Sequence, residues 1–354
     1  VLFRSASYGS REKGRATKGA AYALKSRVEL YDKRYEDVIK SCAEVYKLGY
    51  ELVDGTTPEK YRSIWWTTNK DNKEIIFDVQ YKSPDVYNNM MVCNMVTYIN
   101  DKYGDRGWGG LGPTQELIDA FEMADGTPAT QYSQAPADQV FDINTCGIYE
   151  GREPRFYANI VFHGSQIFFN ADKGAVTVDR YLMDTPDKGD GSLTGYNVWK
   201  WIDYDNYNYP YAGAGSPDFS TNWIILRYAE IYLNDAEARL ETGDVEGARK
   251  AVNMIRQRVG LPDLTESDPE KLRELIRKER RIEFAFEEQR FYDVRRWKIG
   301  PETQTTLHGV RFVSPTEFKV TKTDIRTWND RLYLTPVPHD EIVRSSVLKQ
   351  NPGY

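Results

Sequence analysis

The chain has 354 residues, 40% hydrophobic and 28% charged, with a formal net charge of -6. That length allows a large core or two domains, and the negative balance argues against a nucleic-acid partner, because phosphate binding needs a concentrated basic surface. No apolar run is long enough to span a membrane, and Cys42, Cys93, Cys146, His163, His308 and His339 show no zinc-site spacing.

The opening Val1-Leu2-Phe3-Arg4-Ser5 matches the translation of a common sequencing-adapter end and is set aside. The chain is expected to be a fragment of a longer protein. Two antiparallel helices follow. The first, Ala16 to Tyr31, is rich in the strong helix formers Ala, Leu and Lys. Asp32-Lys33-Arg34 turns the chain. The second helix, Tyr35 to Lys47, sets Val38, Cys42 and Val45 on one face, and Gly49 stops it.

The same unit recurs near residue 230. Tyr22, Leu30, Tyr35, Val38, Cys42 and Val45 align with Tyr232, Leu240, Val245, Ala248, Val252 and Ile255. The spacing is that of a tetratricopeptide helical hairpin. One such hairpin cannot cover its own apolar face, so the two units must meet in space or meet other units. Two unrelated hairpins are the alternative.

Between them the pattern changes. Glu74 to Gln80 alternates and reads as a strand. Asp101 to Pro113 is a Gly-rich loop, and Thr114 caps a helix to Glu122 with Leu117, Ile118 and Phe121 on one face. Gln131 to Gly215 is polar, with strand-like runs at Asn159 to Phe162 and Gln166 to Phe169. Long loops on a helical scaffold are where binding concentrates. After Trp297 the chain reads as loops and short strands, with an extended finish at Leu332 to Pro338 held by two prolines.

The charged run ERRIEFAFEEQRFYDVRRW reads as one helix in which Glu279 and Glu283 share a face. A pair of catalytic carboxylates needs one raised pKa, whereas the interleaved arginines lower it. A structural network is therefore expected, with Arg281, Glu283, Arg290 and Asp293 forming internal pairs. Gly104 to Gly112 lacks the Lys-Ser/Thr ending of a phosphate loop. Trp108, flanked by glycines within it, either stands exposed or folds under the loop.

Sugar recognition uses flat aromatic faces beside Asp, Asn, Arg or Lys. Two clusters offer both: Tyr81, Tyr87, Asn88 and Asn89 after the strand, and Trp199 to Tyr211, with Trp201, Tyr204 and Tyr207. The second suits a protein partner equally, since Tyr and Trp dominate interfaces. Trp65 and Trp66 are expected in the core. Asp203, Asp205 and Asn206 lack the loop spacing of a calcium site, so no metal or other cofactor is expected.

Six segments in order resemble the SusD/RagB family of surface glycan-binding lipoproteins. They are GRATKGAAYALKSRVELY, GGLGPTQELIDAFEMADG, EGREPRFYA, LRYAEIYLNDAEA, ERRIEFAFEEQRFYDVRRW and LTPVPHDEI with the closing LKQNPGY. Gly151 stands where that family commonly has Asn. The resemblance implies a mainly α fold, with tetratricopeptide-like hairpins packed against a loop-rich region with short strands. Residues 1–50 would be the remnant of an N-terminal repeat region. Residues 51–354 would hold a ligand- or partner-binding section (74–215), a helical repeat with the charged helix (220–298) and an extended tail (299–354).

It also implies non-catalytic binding of oligosaccharide or polysaccharide fragments at the outer face of the outer membrane. Delivery to a SusC-like TonB-dependent transporter would follow, with membrane attachment only through a lipid anchor beyond this fragment. By the resemblance, ligand loops often follow the strand. The candidates are therefore Trp108, Tyr81, Tyr87, Asn88 and Asn89, then Trp201, Tyr204 and Tyr207. A glycoside hydrolase or a peptide-binding tetratricopeptide scaffold are the alternatives.

Overall fold

The computed structural model describes residues 5, 7–9, 12, 14–82, 85–86, 88, 90–94, 96, 108–168, 175–184, 191–203 and 220–354. Helix α1 (Lys18–Tyr31) begins where the Thr17 hydroxyl accepts the Ala20 amide at 3.1 Å. Helix α2 (Tyr35–Tyr46) returns antiparallel, and its Val38, Cys42 and Val45 are fully buried. Strand β1 (Ile75–Val79) leads toward the loop-rich region, and α3 (Pro154–Asn159) lies within it.

Strand β2 (Trp223–Arg227) pairs antiparallel with β1 and runs straight into α4 (Tyr228–Glu241), which with α5 (Val245–Arg258) forms the second hairpin. Helices α6 (Pro269–Glu283) and α7 (Gln289–Arg296) follow. The chain then forms the hairpin β3 (Thr306–Phe312) and β4 (Glu317–Ile325), with Val140–Asp142 on the far edge of β4. The fold is mainly α with short strands, as the sequence implied.

The two hairpins do meet. Val38, Cys42 and Val45 of α2 share one buried cluster with Ile231 and Ala238 of α4 and Leu226 of β2. Polar contacts fix the register: Arg27 donates to Glu230, Tyr46 to Asp235 at 3.1 Å, and Asn234 to Ser26 at 3.3 Å. The opposite side of α4 joins α5 and α6 through Leu233, Leu240, Val252, Ile255 and Ile276. Each hairpin thus covers a face that the other cannot cover alone.

Several sequence expectations are corrected. The helix expected from Thr114 to Glu122 is one turn, Gln115–Ile118, and the Thr114 hydroxyl makes no cap bond. The Asp119 carboxylate instead accepts the Ser133 amide at 2.7 Å, and Met123 pairs across to Thr127. Asn159 closes α3, leaving only Ile160–Val161 as strand. The region after Trp297 holds strands of seven and nine residues, longer than the short strands expected. The extended finish starts at Leu334, after a tight turn at Asp330–Tyr333. Gly151 sits at φ 64°, a left-handed position that Asn tolerates better than other L-residues.

The largest correction concerns the charged run, which is two helices. Between Glu283 and Gln289 the backbone turns through left-handed positions at Phe286 (φ 65°) and Glu288 (φ 64°). For non-glycine residues each costs about 1–2 kcal/mol. Inward-facing carbonyls offset that cost. The Glu283 carbonyl accepts Lys200 Nζ at 2.7 Å and Arg227 Nη2 at 2.9 Å, and the Phe286 carbonyl accepts Trp201 Nε1 at 3.1 Å.

Lys200 makes this joint pH-sensitive. Burial, reinforced by Arg227, pushes its ammonium down to about 8 despite Glu287 and Glu283. Between that value and the ordinary lysine range the unfolded chain binds the extra proton. Stability therefore rises with pH there, by at most about 1.4 kcal/mol per pH unit. Burial raises the Tyr61, Tyr149 and Tyr196 phenols, which reverses the slope once unfolded tyrosines ionise near pH 10. Burial also raises the Cys42 thiol, whose unfolded counterpart ionises near pH 9, so urea midpoints should climb only from about pH 7.5 to 8.5 and then fall, and Lys200→Met should flatten the climb.

Candidate functional site

The site grows from the end of β1. Burial pushes the Asp78 carboxyl up, against hydrogen bonds from Asn222 and Gln80. Burial likewise lowers the Lys70 ammonium. Lys70 Nζ donates to the Tyr81 carbonyl at 2.8 Å, and the Tyr81 amide donates to Asn222 Oδ1 at 3.1 Å. Asn222 in turn donates to Asp78 at 2.6 Å. Tyr81 is thereby held at the strand end with its ring half-buried.

Hydrogen bonds lead from there to the Gly-rich loop. Asn88 Nδ2 donates to the Thr221 carbonyl at 3.0 Å, and Asn88 Oδ1 accepts the Met90 amide at 3.0 Å, starting the short helix Met90–Asn94. The Cys93 carbonyl accepts the Gly110 amide at 2.8 Å. A Cβ at Gly110 would stand 2.8 Å from that carbonyl oxygen, so only glycine allows this approach. Trp108, two residues earlier, is 67% exposed. The question left open by sequence is answered for the ring: it stands out from the loop.

The other candidates fall into two groups. Tyr87, Asn89, Tyr204 and Tyr207 lie outside the described residues, as do Asp205 and Asn206. Asn88 and Trp201 are each 4% exposed, and both are corrected from ligand contacts to supports. The Asn88 amide is committed at both ends to backbone, and the Trp201 indole lies edge-on to Trp223 at 5.8 Å. Trp65 is buried in the core as expected, whereas Trp66 is only half-buried. Asp203 accepts from the Thr67 amide and hydroxyl at 2.8 and 2.9 Å. Among the described residues no cluster of His, Cys, Asp or Glu could hold a metal ion.

Glu279 and Glu283, the carboxylates that share a face of the charged run, give no acid–base pair. Glu283 accepts from Arg227 at 2.6 Å, from Arg155 at 3.0 Å and from Arg258. Glu279 accepts from Arg155 at 2.5 Å and Arg256 at 3.2 Å. Burial works to raise the Glu283 carboxyl, but Arg258, Arg227, Arg155 and Lys200 outweigh it and hold it well below the usual range. A general acid needs the opposite shift.

The internal pairs expected along the run also need correction. Asp293 pairs with Arg280 and Arg296, both at 2.8 Å. Arg281 donates to the Glu116 carbonyl at 3.2 Å, and among the described residues neither Arg281 nor Arg290 makes an ion pair. The arginines that neutralise Glu283 come from other elements, which no local spacing reveals.

Comparison with known proteins agrees with this architecture. A SusD-like protein from Bacteroides fragilis, solved by crystallography, is 98% identical over 99% of this chain, with a TM-score of 0.94; the match covers 68% of that chain. A structure described as a SusD-like carbohydrate binding protein, also from Bacteroides fragilis, is 26% identical over 97% of this chain and 66% of its own, with a TM-score of 0.75. SusD-like protein P25 of Formosa agariphila is 24% identical over 98% of this chain, which spans 61% of that relative's length. The sequence model of the SusD family matches residues 73–354, from the start of β1 to the last residue, and so takes in the strand end, the glycine-rich loop and the arginine-locked carboxylates. The chain belongs to the SusD family.

Proposed function

We propose that this chain binds oligosaccharide or polysaccharide fragments without cleaving them, with Trp108 and Tyr81 as contact residues. The observation that carries this reading is the exposed Trp108 ring on a loop fixed to Cys93. A flat aromatic face stacks on the C–H face of a pyranose. The carbohydrate-binding description of the 26%-identical relative supports it.

As in the family, the protein would sit at the outer face of the outer membrane and hand its glycan to a TonB-dependent transporter. Among the described residues no helix is long and apolar enough to cross a membrane. Attachment through a lipid anchor fits that role. Residues 74–215 would serve ligand and partner, and the helical repeats would act as their scaffold.

A glycan array tests the binding. Catalysis is tested by incubating the chain with each bound glycan and following reducing ends. No release above the buffer control is expected, because Glu279 and Glu283 are locked by arginines. Sustained release would contradict the binding-protein reading.

A further inference from the structure

An open cavity of about 320 Å³ adjoins the other side of the β1 strand end. Tyr50, Phe77, Asn72 and Gln80 line it together with charged residues of both signs, Lys70 and Asp78 among them. Its volume lies at the small end of ligand pockets, which run about 300–1,000 Å³. Two features connect it to the surface described above. Lys70 lines the cavity and also donates to the Tyr81 carbonyl at 2.8 Å. Asp78 lines it too and accepts from Asn222, the residue that receives the Tyr81 amide. The same small group of side chains therefore borders both places.

The lining suits a sugar ring. Aromatic carbons can meet a pyranose through its C–H groups, while the carboxamides and the charged groups of both signs can meet its hydroxyls as acceptors or donors. Gln80 is exposed at the end of the strand and can be enlarged without entering the core.

We propose that this cavity is a second carbohydrate subsite, continuous with Tyr81, that seats one terminal sugar residue of the bound glycan. The proposal rests on the carbohydrate reading of Trp108 and Tyr81 and extends it by naming where the chain end goes.

The test couples ligand length to a cavity-filling substitution. The probes are the array's strongest oligosaccharide and the same compound shortened by one residue at either end. The unaltered chain should bind one shortened form about tenfold more weakly, the effect of one or two hydrogen bonds. Gln80→Trp should bind the long and that short form equally, at the short form's affinity, with an unchanged melt. Lys70→Gln should narrow the difference between lengths in the same direction.

If Gln80→Trp and Lys70→Gln both discriminate length as the unaltered chain does, the subsite is overturned. The same holds if the unaltered chain does not discriminate. Trp108→Ala separates the two claims. If it weakens both lengths while Gln80→Trp changes neither, the surface stands and the cavity does not. If no oligosaccharide binds at all, both fall. Gln80→Trp made at the matching position of the longer Bacteroides fragilis protein should behave alike; unchanged length discrimination there also overturns the proposal.

Discussion

Arg227→Ala should lower the unfolding free energy by about 3–5 kcal/mol, a large share of the roughly 5–15 kcal/mol that holds most domains folded. Arg227 is 2% exposed and leads directly from β2 into α4. Its Nη1 donates to Glu74 at 2.8 Å and Glu283 at 2.6 Å, and its Nε and Nη2 donate to Glu287 at 2.7 and 2.8 Å. Nη2 also holds the Glu283 carbonyl at the break between α6 and α7.

Truncation leaves two fully buried carboxylates short of charge and frees the strained turn. Forming such a cluster gains little over apolar packing, but removing one member strands its partners. Lysine should not rescue, because a point charge cannot fork to several carboxylates at once. Urea unfolding checks this. Arg273→Ala, which removes a more exposed pair with Glu241 at 2.7 Å, is the control and should change stability by no more than about 1 kcal/mol. A loss at Arg227 no larger than at Arg273 would show the network to be slack.

Trp108→Ala should weaken glycan binding about thirtyfold, corresponding to about 2 kcal/mol, while leaving the melt unchanged. The ring is largely exposed, so its removal opens no core cavity. Trp65→Ala should do the reverse. Trp65 is 5% exposed and sits in the main core beside Tyr61, at 5.4 Å between rings. Its truncation should cost about 3–5 kcal/mol of stability. Any binding change there should follow the folded fraction.

The helical hairpins were legible because their apolar residues repeat at helical spacing, and the two copies share that spacing. That neither could cover itself was legible too, but whether they meet each other or other units was left open by the sequence. The β3–β4 hairpin was missed although its signal was present. Phe318 and Val320 alternate with charged residues across from Val310, and Ser314-Pro315 marks the turn. Polar threonines and lysines on the outward face hid the alternation.

The break after Glu283 could not be read locally. Phe286 and Glu288 are poor residues for left-handed backbone, and what holds them is donated by Lys200, Trp201 and Arg227. Likewise, the partners of Glu283 stand 128, 56 and 25 residues away in sequence, at Arg155, Arg227 and Arg258. The site divided in a similar way. A tryptophan between glycines can be seen in sequence as a candidate. Whether an aromatic next to it in composition, such as Trp201, faces out or in depends on a carbonyl supplied by Phe286.

The most direct test of the account is a crystal structure of this chain with the strongest oligosaccharide from the array. The account predicts a pyranose ring stacked on the Trp108 indole, with further sugar within hydrogen-bond reach of the Tyr81 strand end. Ordered sugar found only elsewhere, with Trp108 and Tyr81 bare, would contradict it.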